Sequence, residues 1–327
     1  MLYPLKFRPV YKDYLWGGRN LERLGRRLPE GIIAESWEVS AHPDGLSVIS
    51  NGEYAGETLP DFLGRLGRAA IGTALPEAYA AQFPLLIKLI DANQKLSVQV
   101  HPDDHYARSH EGGYGKNEMW YIIAARPESS IIYDVRPGVD RASFSRAVRE
   151  HRIGDCLQTV PVSAGDAFNI PAGMVHGLGA GIILAEIQQS SNLTYRLYDY
   201  DRVDVAGKQR PLHIDKALDV IDFDAAGQTP KIQSQRQSLG QAGAKELLVA
   251  NQYFGVELYD LAGELAESTA GKRFFTYTFI SGTGEIRYHG GALPIGPAES
   301  VFIPAGLGDY VVAGQLKYLK AYVPDQQ

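Results

Sequence analysis

Apolar and polar residues alternate with period two through most of the chain, and only three stretches carry the three-to-four spacing of an amphipathic helix. The first is 58–71, where Leu59, Phe62, Leu63, Leu66 and Ala70 form one stripe behind a Thr58 cap, with Pro60 in the first turn. The second is 141–152, with Asp140 as cap, Phe144, Ala147 and Val148 inward, and Gly154 as the stop. The third is 214–221, with Ala217, Leu218 and Ile221 on one side. Strand candidates occupy 84–100, 118–124, 131–135, 157–162, 167–171, 181–189 and 193–200. Short strands between Gly/Pro turns predict a mainly β sandwich or jelly-roll barrel with short helical insertions. No glycine-rich phosphate loop follows a strand, which argues against a nucleotide-binding α/β fold.

Residues 224–246 are small and polar and read as a linker or an extended surface crossing, after which the strand pattern resumes to 325. The expected division is a catalytic, metal-binding domain over 1–235 and a smaller β domain over 240–327. One phrase recurs in both: Ile170-Pro171-Ala172-Gly173 precedes His176 by three residues, and Ile303-Pro304-Ala305-Gly306 precedes Asp309 by three. Two related barrels are expected, the second without the imidazole and without metal ligands.

Composition narrows the partners. The 327 residues carry 32 Lys+Arg against 38 Asp+Glu, a formal charge of −6, so nucleic acid is a poor partner and an anionic ligand must be met by a local cluster. The single cysteine, Cys156, excludes an internal disulfide, and no apolar run is long enough to span a bilayer. A soluble cytoplasmic protein is expected; oligomeric state is not legible.

Candidate chemistry starts at Leu96-Ser97-Val98-Gln99-Val100-His101-Pro102-Asp103-Asp104. On a strand Ser97, Gln99 and His101 share one face, opposite Val98 and Val100. The neighbouring apolar run PLLIKLI implies burial, and a buried polar row must be satisfied, for which a metal ion is one means. Glu118 opens an otherwise apolar strand, and His176 follows the Pro-Ala-Gly turn. Gln99, His101, Glu118 and His176 together suit zinc or another divalent first-row ion, with room left for substrate. Across Gln-Ser-Ser-Asn the segments 185–189 and 193–200 read as a hairpin, and Arg196, in an otherwise uncharged LTYRLY run, is aimed at something anionic.

These stretches resemble the type I mannose-6-phosphate isomerases (phosphomannose isomerases) of the short bacterial form, a family of cupin barrels. The resemblance runs through YLWGG (14–18), ESWEVSAHPDG (35–45), FPLLIKLIDANQKLSVQVHPDD (83–104), GKNEMWY (115–121), IPAGMVHGLG (170–179), AEIQQSSNLTYRLYDYDR (185–202) and RPLHIDKAL (210–218). It implies one zinc on Gln99, His101, Glu118 and His176, catalytic roles for Arg196, Lys116 and Glu186, and substrate binding at Lys88 and Ser97, near the phosphate-binding region. It also implies interconversion of mannose 6-phosphate and fructose 6-phosphate through a cis-enediol or enediolate. The longer members carry a large helical domain that is absent here, so the sugar-facing wall is expected to differ. Two alternatives use the same barrel: a non-catalytic sugar-phosphate binder, or an isomerase of another sugar phosphate. An Fe(II)–oxygen cupin shares a two-His, one-carboxylate set, but Gln99 and the SSNLTYRLYDY segment favour the isomerase.

Overall fold

The alternating segments pair antiparallel into three sheets in the computed structural model, which describes residues 1–204, 206–227 and 231–325. A six-stranded sheet runs in the order Ala167–Ile170, Glu118–Ala125, Ile182–Gln189, Leu85–Ala92, Glu35–Ser40, Val10–Lys12. A five-stranded sheet has the order Tyr195–Tyr198, Val98–Val100, His176–Leu178, Ser130–Val135, Leu157–Pro161. A core that includes Trp120, Ile122 and Leu184 of the first sheet and Ile131, Tyr133 and Leu178 of the second fills the space between them. This is the first barrel.

The strand Leu85–Ala92 shows why its sequence is almost continuously apolar. Leu85, Ile87 and Leu89 pack outward against Phe62, Phe274 and Phe302, while Ile90 packs into the barrel. Both faces are buried, so alternation is lost and Lys88 stands as a cation among hydrophobes. The same division puts Met119 and Tyr121 outside, and Trp120 and Ile122 inside.

Nine strands form the third sheet. Gly255–Ser268, Asp309–Tyr322 and Phe275–Tyr288 make its long centre, and Leu5–Arg8 joins it beside Ser300–Ile303. Its interior is filled by aromatic groups: Tyr259 stacks on Tyr318 at 4.8 Å between centroids, and the hydroxyls of Tyr277 and Tyr310 lie 2.8 Å apart. The Ile-Pro-Ala-Gly echo has a structural counterpart. Each copy ends one strand and precedes another, His176–Leu178 in the first barrel and Asp309–Tyr322 in the second. His176 is fully buried and Asp309 is exposed.

Four local expectations need correction. The helix over 58–71 is two helices, Leu59–Leu66 and Arg68–Ile71, because Gly67 takes a positive φ of 48° between them. The second helix, Arg141–Arg149, stops before Gly154, where His151 turns to φ 57°. The linker 224–246 contains an edge strand, Arg236–Ser238, and the start of Gly243–Ala250; its polar residues are exposed strand residues. Within it, 228–230 lie outside the described residues. The hairpin across Gln189–Asn192 does not form, because Ile182–Gln189 is already paired on both edges, by Leu85–Ala92 and Glu118–Ala125. The chain instead crosses to the other sheet, where Tyr195–Tyr198 pairs with Val98–Val100.

Candidate active site

Strand register assembles the site. Across the six-stranded sheet Lys88, Glu186 and Trp120 stand side by side, and Gln188 is paired with Glu118. Across the five-stranded sheet Arg196, Gln99, His176 and Tyr133 form one row. Residues directly opposite in antiparallel strands share a face, so each sheet turns a polar row toward the other. Val98 and Val100 point away, into a core with Phe144 and Leu197.

His101, Glu118 and His176 come together with one donor atom of each within 4.8 Å of the others, all buried. The Nε2 atoms of the two histidines are 3.1 Å apart, His101 Nε2 is 3.4 Å from Glu118 Oε1, and His176 Nε2 is 3.8 Å from Glu118 Oε2. Gln99 adds its side-chain amide, whose nitrogen as assigned lies 3.4 Å from His176 Nε2. Bonds of 2.0–2.1 Å in a tetrahedral shell put neighbouring donors about 3.3 Å apart, the spacing seen here. Both Glu118 oxygens are buried and accept no hydrogen bond; the carboxylate has only ion-pair contact, to Lys116 Nζ at 2.7 Å and the two imidazoles. His176 Nδ1 donates to Met174 O at 2.9 Å, which leaves Nε2 a lone-pair donor facing the cluster. The buried His101–Glu118–His176 group could therefore hold a metal ion.

Charge states agree with a ligand set. Burial, with Lys116 beside it, pulls His101 down to about 3, and burial lowers His176 as well, so both are neutral near pH 7. Burial alone would raise Glu118, but Lys116 and His101 hold it well below the usual carboxylate range.

Gln99 and Lys116 also line a cavity of about 310 Å³, shared with Ser97, Lys88, Glu186 and Arg196. Trp120 Nε1 donates to Glu186 Oε2 at 2.8 Å, while Glu186 Oε1 lies 3.1 Å from Lys88 Nζ. Burial and the nearby Glu118 push the Glu186 carboxyl up from its ordinary value, against the pull of Lys88. Lys88 also approaches Glu35 at 3.6 Å; the two carboxylates outweigh its burial and raise it. Arg196 donates Nη1 to Pro211 O at 2.9 Å, its buried Nε has no partner, and burial with Arg210 nearby lowers it. Every site residue expected from sequence lies on this cavity or directly behind it.

Sequence reasoning gave no role to Glu35, Trp120, Trp16 or Arg210, which also line the cavity. The signal was present in the ESWEV, GKNEMWY, YLWGG and RPLH stretches. What local patterns lack is which sheet face each stretch reaches.

A two-sheet barrel whose interior combines a metal-capable triad with convergent acid and base groups defines the class, a cupin with an enzyme-like pocket. Residues 4–129 match the model of the phosphomannose isomerase type I catalytic domain, and residues 244–323 that of the mannose-6-phosphate isomerase cupin domain. The chain is 36% identical over 325 residues to mannose-6-phosphate isomerase ManA of Bacillus subtilis (strain 168), covering 98% of this chain and 99% of that one. It is 33% identical over 327 residues to the mannose-6-phosphate isomerase of Streptococcus mutans, with the same two coverages. The crystal structure of the B. subtilis mannose 6-phosphate isomerase superposes with a TM-score of 0.89 at 31% identity, covering 98% of this chain and 99% of that one. The chain belongs to the type I phosphomannose isomerase family.

Proposed function

We propose that this protein interconverts mannose 6-phosphate and fructose 6-phosphate, using one zinc ion held by Gln99, His101, Glu118 and His176. The observation that carries the reading is one cavity of about 310 Å³ lined by the carboxylate of Glu186, the guanidinium of Arg196, and Gln99 and Lys116, the last two in contact with the metal-capable triad. A bound divalent ion supplies Lewis acidity where negative charge develops on the sugar oxygens.

The rest is the work of the chain's own groups. Isomerisation moves a proton between C2 and C1 through a cis-enediol or enediolate. Glu186 is the proton carrier: it is buried, raised, and oriented by Trp120 Nε1. Arg196, with a free Nε and no carboxylate within ion-pair distance among the described residues, stabilises the developing oxyanion. Lys116, between His101 and Glu118, neutralises charge and moves the hydroxyl proton. Lys88 and Ser97 face the same cavity and contact substrate.

The charge balance fits a phosphorylated sugar. Lys88, Lys116, Arg196 and Arg210 line the cavity, and Glu35, Glu186, Glu118 and Asp199 match them in number. Asp199 is shared with Arg202 as well, so a divalent cation leaves the site with an excess of positive charge that complements a phosphate dianion.

The chain divides at 235–240 on this reading, with the second β domain, free of metal ligands, supporting the first. The nine-stranded sheet is built mainly from residues 236 onward around an aromatic interior, but Leu5–Arg8 and Val48–Ile49 of the first domain complete it, so the two domains share this sheet. No helix among the described residues is long and apolar enough to cross a membrane. A cytoplasmic setting suits the single unpaired Cys156.

The test is a coupled assay on mannose 6-phosphate. Turnover is expected; stoichiometric metal with no turnover of any hexose phosphate would make the protein a sugar-phosphate binder instead.

A further inference from the structure

We propose that Arg210 is the phosphate anchor of the cavity and that Asp199 is the positioning residue that fixes it there. This rests on the reading of the cavity as a hexose phosphate isomerase site.

The lining cations are not equivalent. Lys88 is held between Glu35 and Glu186, and Lys116 lies on Glu118 beside His101. Arg196 is the cross-strand neighbour of Gln99, next to the metal-capable group, where C1 and C2 must lie. Arg210 comes from a different segment. It donates Nε to Asp199 Oδ2 at 2.8 Å and Nη2 to Asp199 Oδ1 at 2.5 Å, a two-bond fork that locks the plane of the guanidinium. Among the described residues its Nη1 has no partner, and the residue lines the cavity.

Asp199 is built for this task. It is 5% exposed, and it also accepts Arg202, which donates Nη1 to Lys95 O. One carboxylate thus carries two guanidinium groups, and the cluster keeps a net positive charge. Asp199 follows the end of the Tyr195–Tyr198 strand, just past a register irregularity between Arg196 and Tyr198. Arg210 thus reaches the cavity from a segment outside the strand that carries Arg196, and among the described residues only Arg196 and Arg210 line it as cations without a carboxylate of the metal-capable or Lys88 groups against them. Binding energy collected there orients C1 and C2 without touching them.

The experiment compares Arg210→Gln, Arg210→Lys and Asp199→Asn with the wild type, using mannose 6-phosphate as substrate and inorganic phosphate as competitor. Loss of one charge-assisted contact predicts a rise in KM of about 10- to 100-fold for Arg210→Gln. The expected kcat stays within about threefold, because the contact is made equally in ground and transition states. Inhibition by inorganic phosphate weakens in parallel, and Arg210→Lys, which keeps the charge without the fork, is intermediate. Asp199→Asn raises KM with Arg210 intact; should that variant not fold, Asp199→Glu, which keeps the charge but moves it, carries the same test. An unchanged KM in Arg210→Gln, or a loss confined to kcat, overturns the anchor, and an unchanged KM at position 199 overturns the positioning role. A wild type that fails to turn over mannose 6-phosphate removes the isomerase reading instead. Calorimetric binding of mannose 6-phosphate to wild type and Arg210→Gln then decides the anchor: weaker binding supports it and equal binding overturns it.

Discussion

His101 and His176 face each other through their Nε2 atoms at 3.1 Å, and the Nδ1–H of His176 is committed to the carbonyl of Met174. His176 thus turns its Nε2 lone pair toward His101 and Glu118, the position of a metal ligand. His176→Gln should therefore lower the metal content of the purified protein well below one ion per chain, while far-ultraviolet circular dichroism stays unchanged. Full retention of the ion would remove His176 from the ligand set.

Glu186→Gln keeps the shape of the side chain and loses its basicity. The expected result is a fall in kcat of about 10²- to 10⁴-fold with metal content intact. The wild-type pH profile carries the same signature. Burial and Glu118 raise the Glu186 carboxyl above the usual carboxylate value of 4.5. A base must be ionised to act, so kcat/KM should fall as pH is lowered through a value above 4.5. An acid limb at or below 4.5 contradicts the assignment.

Stability of the metal-free protein should depend on pH in a definite direction. His101 is depressed from 6.5 to about 3 by burial and by Lys116, so between these values the unfolded chain takes up a proton that the folded chain refuses. Unfolding free energy then falls as pH drops from about 6.5 toward about 3. Urea midpoints across this range measure the effect, and His101→Gln should flatten it by up to one proton.

Phe302 binds the two halves of the molecule. It is fully buried, stacks on Phe274 at 5.3 Å between centroids, and meets Phe62 and Phe83 edge-on. Phe302→Ala leaves a cavity where helix, first barrel and nine-stranded sheet meet, and should cost about 3–5 kcal/mol by denaturant titration. A change under 1 kcal/mol would mean that the interface closes around the gap.

Much of this was legible in the chain itself. Period two over 97–101 separates Gln99 and Ser97 from Val98 and Val100, and the Ile-Pro-Ala-Gly turn leads to His176. Long-range pairing is what local pattern does not encode. A hairpin across Gln189–Asn192 fits the local pattern, but both edges of Ile182–Gln189 are taken by strands distant in sequence. Glu35 reaches Lys88 only because Glu35–Ser40 lies beside Leu85–Ala92. Arg210 enters the cavity because a buried Asp199 holds it, and an Asp in DYDR reads as solvated when seen alone.

The most direct test of the central claim is mannose 6-phosphate turnover by the same sample before chelation, after removal of metal, and after zinc is restored, with metal content measured each time. The account predicts one ion per chain, loss of turnover as the ion leaves, and recovery as it returns. Undiminished turnover by metal-free protein would contradict it.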